Sequence, residues 1–247
     1  MLTCLALFAV ASGVPEVKTF AVDGVERQAL VVTPAGAGPH PLVLAFHGHG
    51  GTMRNAARSF DVAARWPEAI VVYPQGLPIK GMNDPKGERN GWQQRDGEEG
   101  DRDLKFVDEM LAKTPNVDPK RVYSMGHSNG GRFTYVLWAT RGDRFAAYSP
   151  SGSPAGLLAR RFAPASAFVI AGEKDPIVNY RSQARSIGML RTLLGVDTGK
   201  AKKSGYTTLA PGKDGLELGT YIHPGGHEYP REAAAGAVAL FKRHPKR

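Results

Sequence analysis

The run Pro41 to Phe46 is apolar without interruption and ends in His47-Gly48-His49-Gly50-Gly51. Ala69 to Tyr73 repeats the pattern and ends in Pro74-Gln75-Gly76. A strand with no polar alternation has to be covered on both faces, which is the environment of a parallel sheet between layers of helix. Arg121 to Met125, Phe145 to Tyr148, Ala167 to Ala171 and Leu216 to Ile222 are further strand candidates. Helices are expected over Asn55 to Arg65, Leu104 to Ala112 and Arg132 to Ala139. Strand, helix and strand thus follow one another along the chain, which predicts an α/β fold with a mostly parallel central sheet and helices on both faces. The stretch Lys18 to Val32 alternates instead and contains Asp23-Gly24, the signal of an antiparallel hairpin, so an edge hairpin is expected at the N-terminal side of the sheet.

The 247 residues are 42% hydrophobic and 22% charged, a globular composition with no linker or composition shift. A single domain over 14–247 is expected. No apolar run approaches the roughly 18 residues that span a bilayer. Residues 1 to 15 carry no charge, and Leu2 to Val10 are followed by Ala11-Ser12-Gly13, a small-residue site of the kind signal peptidases cut. Residues 1–13 therefore read as a secretion signal, for export to the periplasm or the medium. The one cysteine, Cys4, would leave with it, and it allows neither an intrachain disulfide nor a cysteine metal site. The formal net charge of +9 invites weak attraction to anionic surfaces. Its longest basic runs, Lys200 to Lys203 and Lys242 to Arg247, are short, and no zinc, RNA-binding or DNA-binding motif accompanies them, so no nucleic-acid partner is expected.

The most specific motif is Gly126-His127-Ser128-Asn129-Gly130, set between the strand ending at Met125 and the helix starting near Arg132. A strand, a tight turn carrying serine and a helix form the nucleophile elbow, in which the hydroxyl stands above the sheet and the helix N-terminus faces the reaction centre. The α/β-hydrolase order of partners is serine, then acid, then histidine. Asp175 follows the strand Ala167 to Ala171 through Gly172-Glu173-Lys174, and His227 follows the strand Leu216 to Ile222 in Pro224-Gly225-Gly226-His227. Glu173, Asp197 and Asp214 compete less well for the acid, as do His223 and His244 for the base. Ser128, His227 and Asp175 are accordingly the expected nucleophile, general base and orienting acid. Oxyanion donors are expected from the N–H of Asn129 and from the 47–51 turn, at His49 first and Gly50 next.

His47 and His49 lack a third ligand, so no metal is expected. The absence of a P-loop leaves no nucleotide cofactor implied. The acids Glu98, Glu99, Asp101 and Asp103 read as a loop and helix-start charge set. The polar stretch Pro78 to Gly100 is long enough to be functional. Trp92 within it, together with Tyr180 and Tyr229, is a candidate for stacking on substrate.

As a set, these residues resemble the polyhydroxybutyrate depolymerase type of bacterial esterase and the related feruloyl and acetylxylan esterases of carbohydrate esterase family 1. The resemblance rests on His47-Gly48-x-Gly50-Gly51, Asn90-Gly91-Trp92, Asp103 with Phe106-Val107-Asp108, and Val117-Asp118-Pro119-x-Arg121-Val122-Tyr123. It extends through Gly126 to Gly131, Asp175-Pro176-Ile177-Val178 and Gly225-Gly226-His227-x-Tyr229-Pro230. It implies the α/β-hydrolase fold, the same triad, and a cofactor-free serine esterase acting through an acyl-enzyme on hydroxyalkanoate, feruloyl or acetyl esters, small or polymeric. A serine peptidase of the prolyl-oligopeptidase type shares the triad order and is the second expectation. A non-catalytic binding protein on the same scaffold is the third.

Overall fold

A computed structural model describes residues 13–246. The expected signal segment lies outside the described residues apart from Gly13, and so does Cys4.

The chain opens with β1 (Glu16–Val22), β2 (Val25–Val32) and β3 (His40–Phe46), followed by α1 (Met53–Phe60), α2 (Val62–Arg65) and β4 (Ile70–Pro74). A small pair, β5 (Leu77–Pro78) and β6 (Asn90–Gly91), brackets the polar loop. Then come α3 (Arg102–Lys113), β7 (Val117–His127), α4 (Asn129–Thr140), β8 (Ala147–Ser151), β9 (Ser166–Gly172) and α5 (Tyr180–Leu194). The chain closes with β10 (Lys202–Ser204), β11 (Thr207–Pro211), β12 (Glu217–His223) and α6 (Ala233–Arg243). The large sheet has the order β1-β2-β4-β3-β7-β8-β9-β12-β11-β10. It is parallel from β4 through β12 and antiparallel at both edges.

The unbroken apolar strands serve two cores at once. Leu42, Leu44, Phe46, Ile70 and Val72 face one cluster with residues of α3, α4 and α5, while Val43, Ala45, Val71 and Tyr73 face the other with residues of α1, α2 and α6. Side chains two apart share a face, so a strand apolar at every position fills both layers.

The structure departs from the sequence reading in three places. The expected helix over 55–65 is two helices, because Asp61 adopts a left-handed conformation (φ 51°) that ends α1. The strand expected over Phe145 to Tyr148 begins two residues later and runs to Ser151. The far edge, β10 and β11, has no counterpart among the expected strands; its Lys202, Lys203 and Ser204 are exposed and give no apolar signal.

Below the polar loop lies a buried ion pair. The Arg27 guanidinium donates to Asp103 Oδ1 at 2.8 Å with both side chains fully buried, and Asp103 Oδ2 accepts from the Gln93 N–H at 2.9 Å. Arg27 also lies over the Phe106 ring, 4.3 Å from its centroid. This contact ties β2, the loop and α3 together. Removing one partner strands the other charge in the core, so Asp103→Ala should lower the unfolding free energy by about 3–5 kcal/mol in urea titrations, whereas Arg27→Met with Asp103→Leu should recover much of that loss.

Candidate active site

The segments after the carboxyl ends of β7, β9 and β12 supply Ser128, Asp175 and His227. β7 runs into Ser128, whose φ of 57° and ψ of −119° are unusual for a residue with a Cβ, and α4 begins at the next residue. Such a conformation persists only where the surroundings enforce it. Here the turn is gripped by close packing. A Cβ on Gly126 would sit 2.4 Å from the Gly130 carbonyl oxygen, and one on Gly130 would sit 2.3 Å from that of Phe46. The Ser128 N–H donates to the Ser151 carbonyl at 2.8 Å and so pins the turn to β8. The two glycines of the motif are thus a packing requirement between the ends of β7, α4 and β3.

Ser128, His227 and Asp175 form one hydrogen-bonded line. Ser128 Oγ–H donates to His227 Nε2 at 2.7 Å, and His227 Nδ1–H donates to Asp175 Oδ2 at 2.7 Å. The carboxylate can only accept, which assigns the proton to Nδ1 and leaves Nε2 to receive one. Asp175 Oδ1 accepts from the N–H groups of Ile177 (2.9 Å) and Val178 (2.8 Å), and Oδ2 also accepts from Gln183 Nε2 at 3.0 Å. Burial alone would raise this carboxyl, but the hydrogen bonds from His227, Val178 and Ile177 outweigh it and hold the group below the usual carboxylate range. Gln183 escaped the sequence reading. It lies one turn into α5 and also donates to the Val178 carbonyl at 2.7 Å, bracing the acid loop.

Two further histidines fix the frame. His127 Nε2–H donates to the His227 carbonyl at 3.1 Å, and its Nδ1 accepts from Ser151 Oγ–H at 3.0 Å. Its ring centroid lies 5.0 Å from that of His227. Burial, and after it the neighbouring His227, push His127 down to about 4, against weaker raising effects of the His227 carbonyl, Asp175 and Glu228. His47 is likewise held by backbone. Nδ1–H donates to the Gly48 carbonyl at 2.8 Å and Nε2 accepts from the Gly76 N–H at 3.0 Å. Burial pushes it down to about 4 despite its bond to Gly48. Both rings are therefore neutral at ordinary pH.

The 47–51 turn lies against Ser128. A Cβ on Gly48 would stand 3.4 Å from the Ser128 Cβ. The N–H of Gly50, second choice as an oxyanion donor, donates to the Asn90 carbonyl at 2.7 Å and is not available. The N–H of His49 has no acceptor among the described residues, and that of Asn129 is a first-turn amide of α4, which a helix leaves without an internal acceptor. The Asn129 side chain is clamped to Trp92, accepting from its N–H at 2.7 Å and donating to its carbonyl at 2.9 Å.

Of the three aromatic candidates for substrate stacking, Trp92 is removed by burial, while Tyr180 and Tyr229 are half-buried and do not line the cleft that exposes Ser128. Trp92 is fully buried, stacked on Phe133 with centroids 5.5 Å apart, and its Nε1–H donates to the His47 carbonyl at 2.9 Å. Its face belongs to the core and its backbone to Asn129. Tyr229 packs on Phe60 at 4.6 Å on the α1 side of the sheet, and burial raises its phenol. Tyr180 opens α5 but is not among the residues lining the cleft; its neighbours Asn179 and Ser182 are.

That cleft, about 660 Å³, exposes Ser128 and His227. Met82 and Ile177 form apolar lips, 78% and 46% exposed, and Asn83, Gln94, Ser153 and Asn179 add polar groups. His49 lines one wall and bonds Asp84 Oδ2 at 3.0 Å; Asp84 also accepts from the N–H groups of Gly87, Glu88 and Arg89. Arg89 and Arg132 reach the cleft as well, and neither they nor Asp84 stood out in the sequence.

The buried histidines predict how stability follows pH. Above about 6.5 the folded and unfolded states both hold them neutral. Between 6.5 and 4 the unfolded chain binds protons that the folded one refuses, so stability falls with falling pH, by on the order of 3 kcal/mol per ring, and the loss levels off below 4. Urea midpoints measured from pH 7.5 to 4 should show this decline, and His127→Gln should make it shallower; an unchanged slope in that variant would refute the assignment.

Residues 88–154 match the prolyl oligopeptidase family, a stretch holding β7, the elbow and α4 but neither Asp175 nor His227. The bifunctional acetylxylan esterase/xylanase of Neocallimastix patriciarum is 28% identical over 166 residues, which cover 64% of this chain and 23% of that protein. The chain thus matches under a quarter of that relative's length. Among solved structures, the acetyl xylan esterase of Aspergillus awamori superposes with a TM-score of 0.69 at 17% identity, over 92% of this chain and 99% of the other. The S-formylglutathione hydrolase of Staphylococcus aureus gives 0.67 at 14% identity, over 96% and 99%. At such identities the likeness speaks for architecture, and the architecture is the α/β-hydrolase fold.

Proposed function

We propose that this chain is a serine esterase that hydrolyses carboxylic esters through an acyl-enzyme. The observation that carries the reading is the continuous line from Ser128 Oγ through His227 to Asp175, with its reactive end open to a cleft. In the first step the Ser128 oxygen attacks the ester carbonyl while His227 Nε2 takes its proton. The oxyanion is held by the N–H groups of Asn129 and His49. The proton then passes to the departing alcohol, and a water repeats the sequence to free the acid and restore Ser128. Asp175 stays ionised throughout and stabilises the imidazolium. No step requires a cofactor.

The acetylxylan esterase relative and the esterase neighbours support an ester rather than an amide, and acetyl groups on polysaccharide as substrates; feruloyl esters and hydroxyalkanoate oligomers enter the range from the sequence resemblance alone. The apolar run Leu2 to Val10 supports export to the periplasm or medium, where such substrates occur. The match of residues 88–154 favours a second reading, a serine peptidase. An ester and an anilide of the same acyl group separate the two. The esterase reading expects the ester to be cleaved far faster beyond its intrinsic lability, and preferential anilide cleavage would reverse the assignment.

Ser128→Ala should lower kcat/KM on 4-nitrophenyl acetate by about 10⁴-fold or more and abolish labelling by a fluorophosphonate probe. Retained labelling or turnover in that variant would overturn the proposal. A panel of acetylated xylan, methyl ferulate and hydroxybutyrate oligomers then ranks the substrates.

A further inference from the structure

The residues lining the cleft include two arginines and no acid. Arg132 stands one helical turn beyond the nucleophile, and its backbone N–H donates to the Ser128 carbonyl at 2.8 Å. Its guanidinium is fixed by protein carbonyls alone. Nε donates to Gln94 at 3.0 Å, and Nη1 donates to Pro154 at 3.1 Å and Ala155 at 2.6 Å. Nη2 has no partner, and no carboxylate of the described residues lies within ion-pair distance. A guanidinium aimed by three carbonyls, with Glu98 acting on it only from beyond ion-pair distance, is positioned in advance for an anion at the edge of a binding cleft. Arg89 supplies a second cation to the same cleft from the loop between β5 and β6. Its side chain is exposed and unpaired among the described residues, and its stem lies over the 47–51 turn, with Cδ 3.4 Å from where a Cβ on Gly50 would stand.

The acids nearby are occupied elsewhere. Asp84 spends its oxygens on three backbone amides and His49, and Glu98 accepts from the Gln94 N–H at 2.5 Å. Asp175 faces His227 and its own loop.

Resting on the esterase reading, we infer that the preferred substrates are esters that carry a carboxylate, received by Arg132 and Arg89 while the scissile carbonyl lies at Ser128. The apolar lips Met82 and Ile177 leave room for the aliphatic or aromatic part between ester and acid. The carboxylate can belong to the acyl group or to the alcohol, and both are tested.

Two matched pairs of esters read this directly. Mono-4-nitrophenyl glutarate against 4-nitrophenyl pentanoate places the charge on the acyl side, and 4-acetoxybenzoate against its methyl ester places it on the leaving group. The quantity of interest is the ratio of kcat/KM for the anionic member to that for its neutral partner. In at least one pair this ratio should fall about tenfold in Arg132→Gln, the size of one charge-assisted hydrogen bond at a half-exposed site, and should be largely kept in Arg132→Lys. Arg89→Glu, at a side chain with no structural bonds, should lower the ratio further, and raising salt from 20 to 500 mM should lower it in the unaltered protein and in Arg132→Lys more than in Arg132→Gln. Ratios within twofold of the unaltered protein for both pairs, in both Arg132→Gln and Arg89→Glu, would overturn the inference while leaving the esterase reading intact. Absence of turnover on all four esters would overturn that reading and the inference with it.

Discussion

Everything at the reactive end of the sheet depends on how closely three backbones meet around the elbow. The Gly130 backbone lies against the Phe46 and His47 carbonyls, Gly131 against Ser151, and Gly126 against Gly130. At these separations a single added methyl collides with main chain, which cannot step aside. That contact forces Ser128 into its positive-φ conformation and lifts its hydroxyl above β7. It also sets the height of the 47–51 turn and the direction of α4, whose first free amide points to the same side.

Around this point the polar groups are arranged to leave one proton path. His47, His127 and His227 gather around Ser128, yet the first two are tied to backbone groups and kept neutral by burial. His227 alone joins a hydroxyl to a carboxylate. His127 contributes by holding the main chain of His227, so the residue just before the serine orients the base as well as filling the turn.

Much of this was legible in the sequence because it is local. The uninterrupted apolar runs announced strands buried on both faces. The elbow declared its own geometry, and chain order placed Asp175 and His227 beyond their strands. What escaped depends on contacts between distant segments. Nothing near Trp92 says that it would sink into the core against Phe133, and its loop composition argued for exposure. Gln183, Asp84 and Arg132 belong to stretches with no motif, and their meaning appears only when α5, the 81–89 loop and α4 surround one cleft. The short strands β10, exposed, and β11, half-buried, lacked the alternation by which an edge is recognised.

The Trp92 loop carries a further consequence. One end is held through β6 and the Trp92–Asn129 clamp, and the other through Asp103 and Arg27. The neighbouring 81–89 segment, between β5 and β6, brings Met82 and Arg89 to the cleft; it is folded around its own Asp84 turn and meets the 47–51 turn through Asp84 on His49 and Arg89 beside Gly50. Such a segment is an exchangeable cassette: its length and side chains can drift, or be recombined from another chain, while the machinery beneath keeps its geometry. Selectivity in this scaffold is therefore free to evolve faster than chemistry.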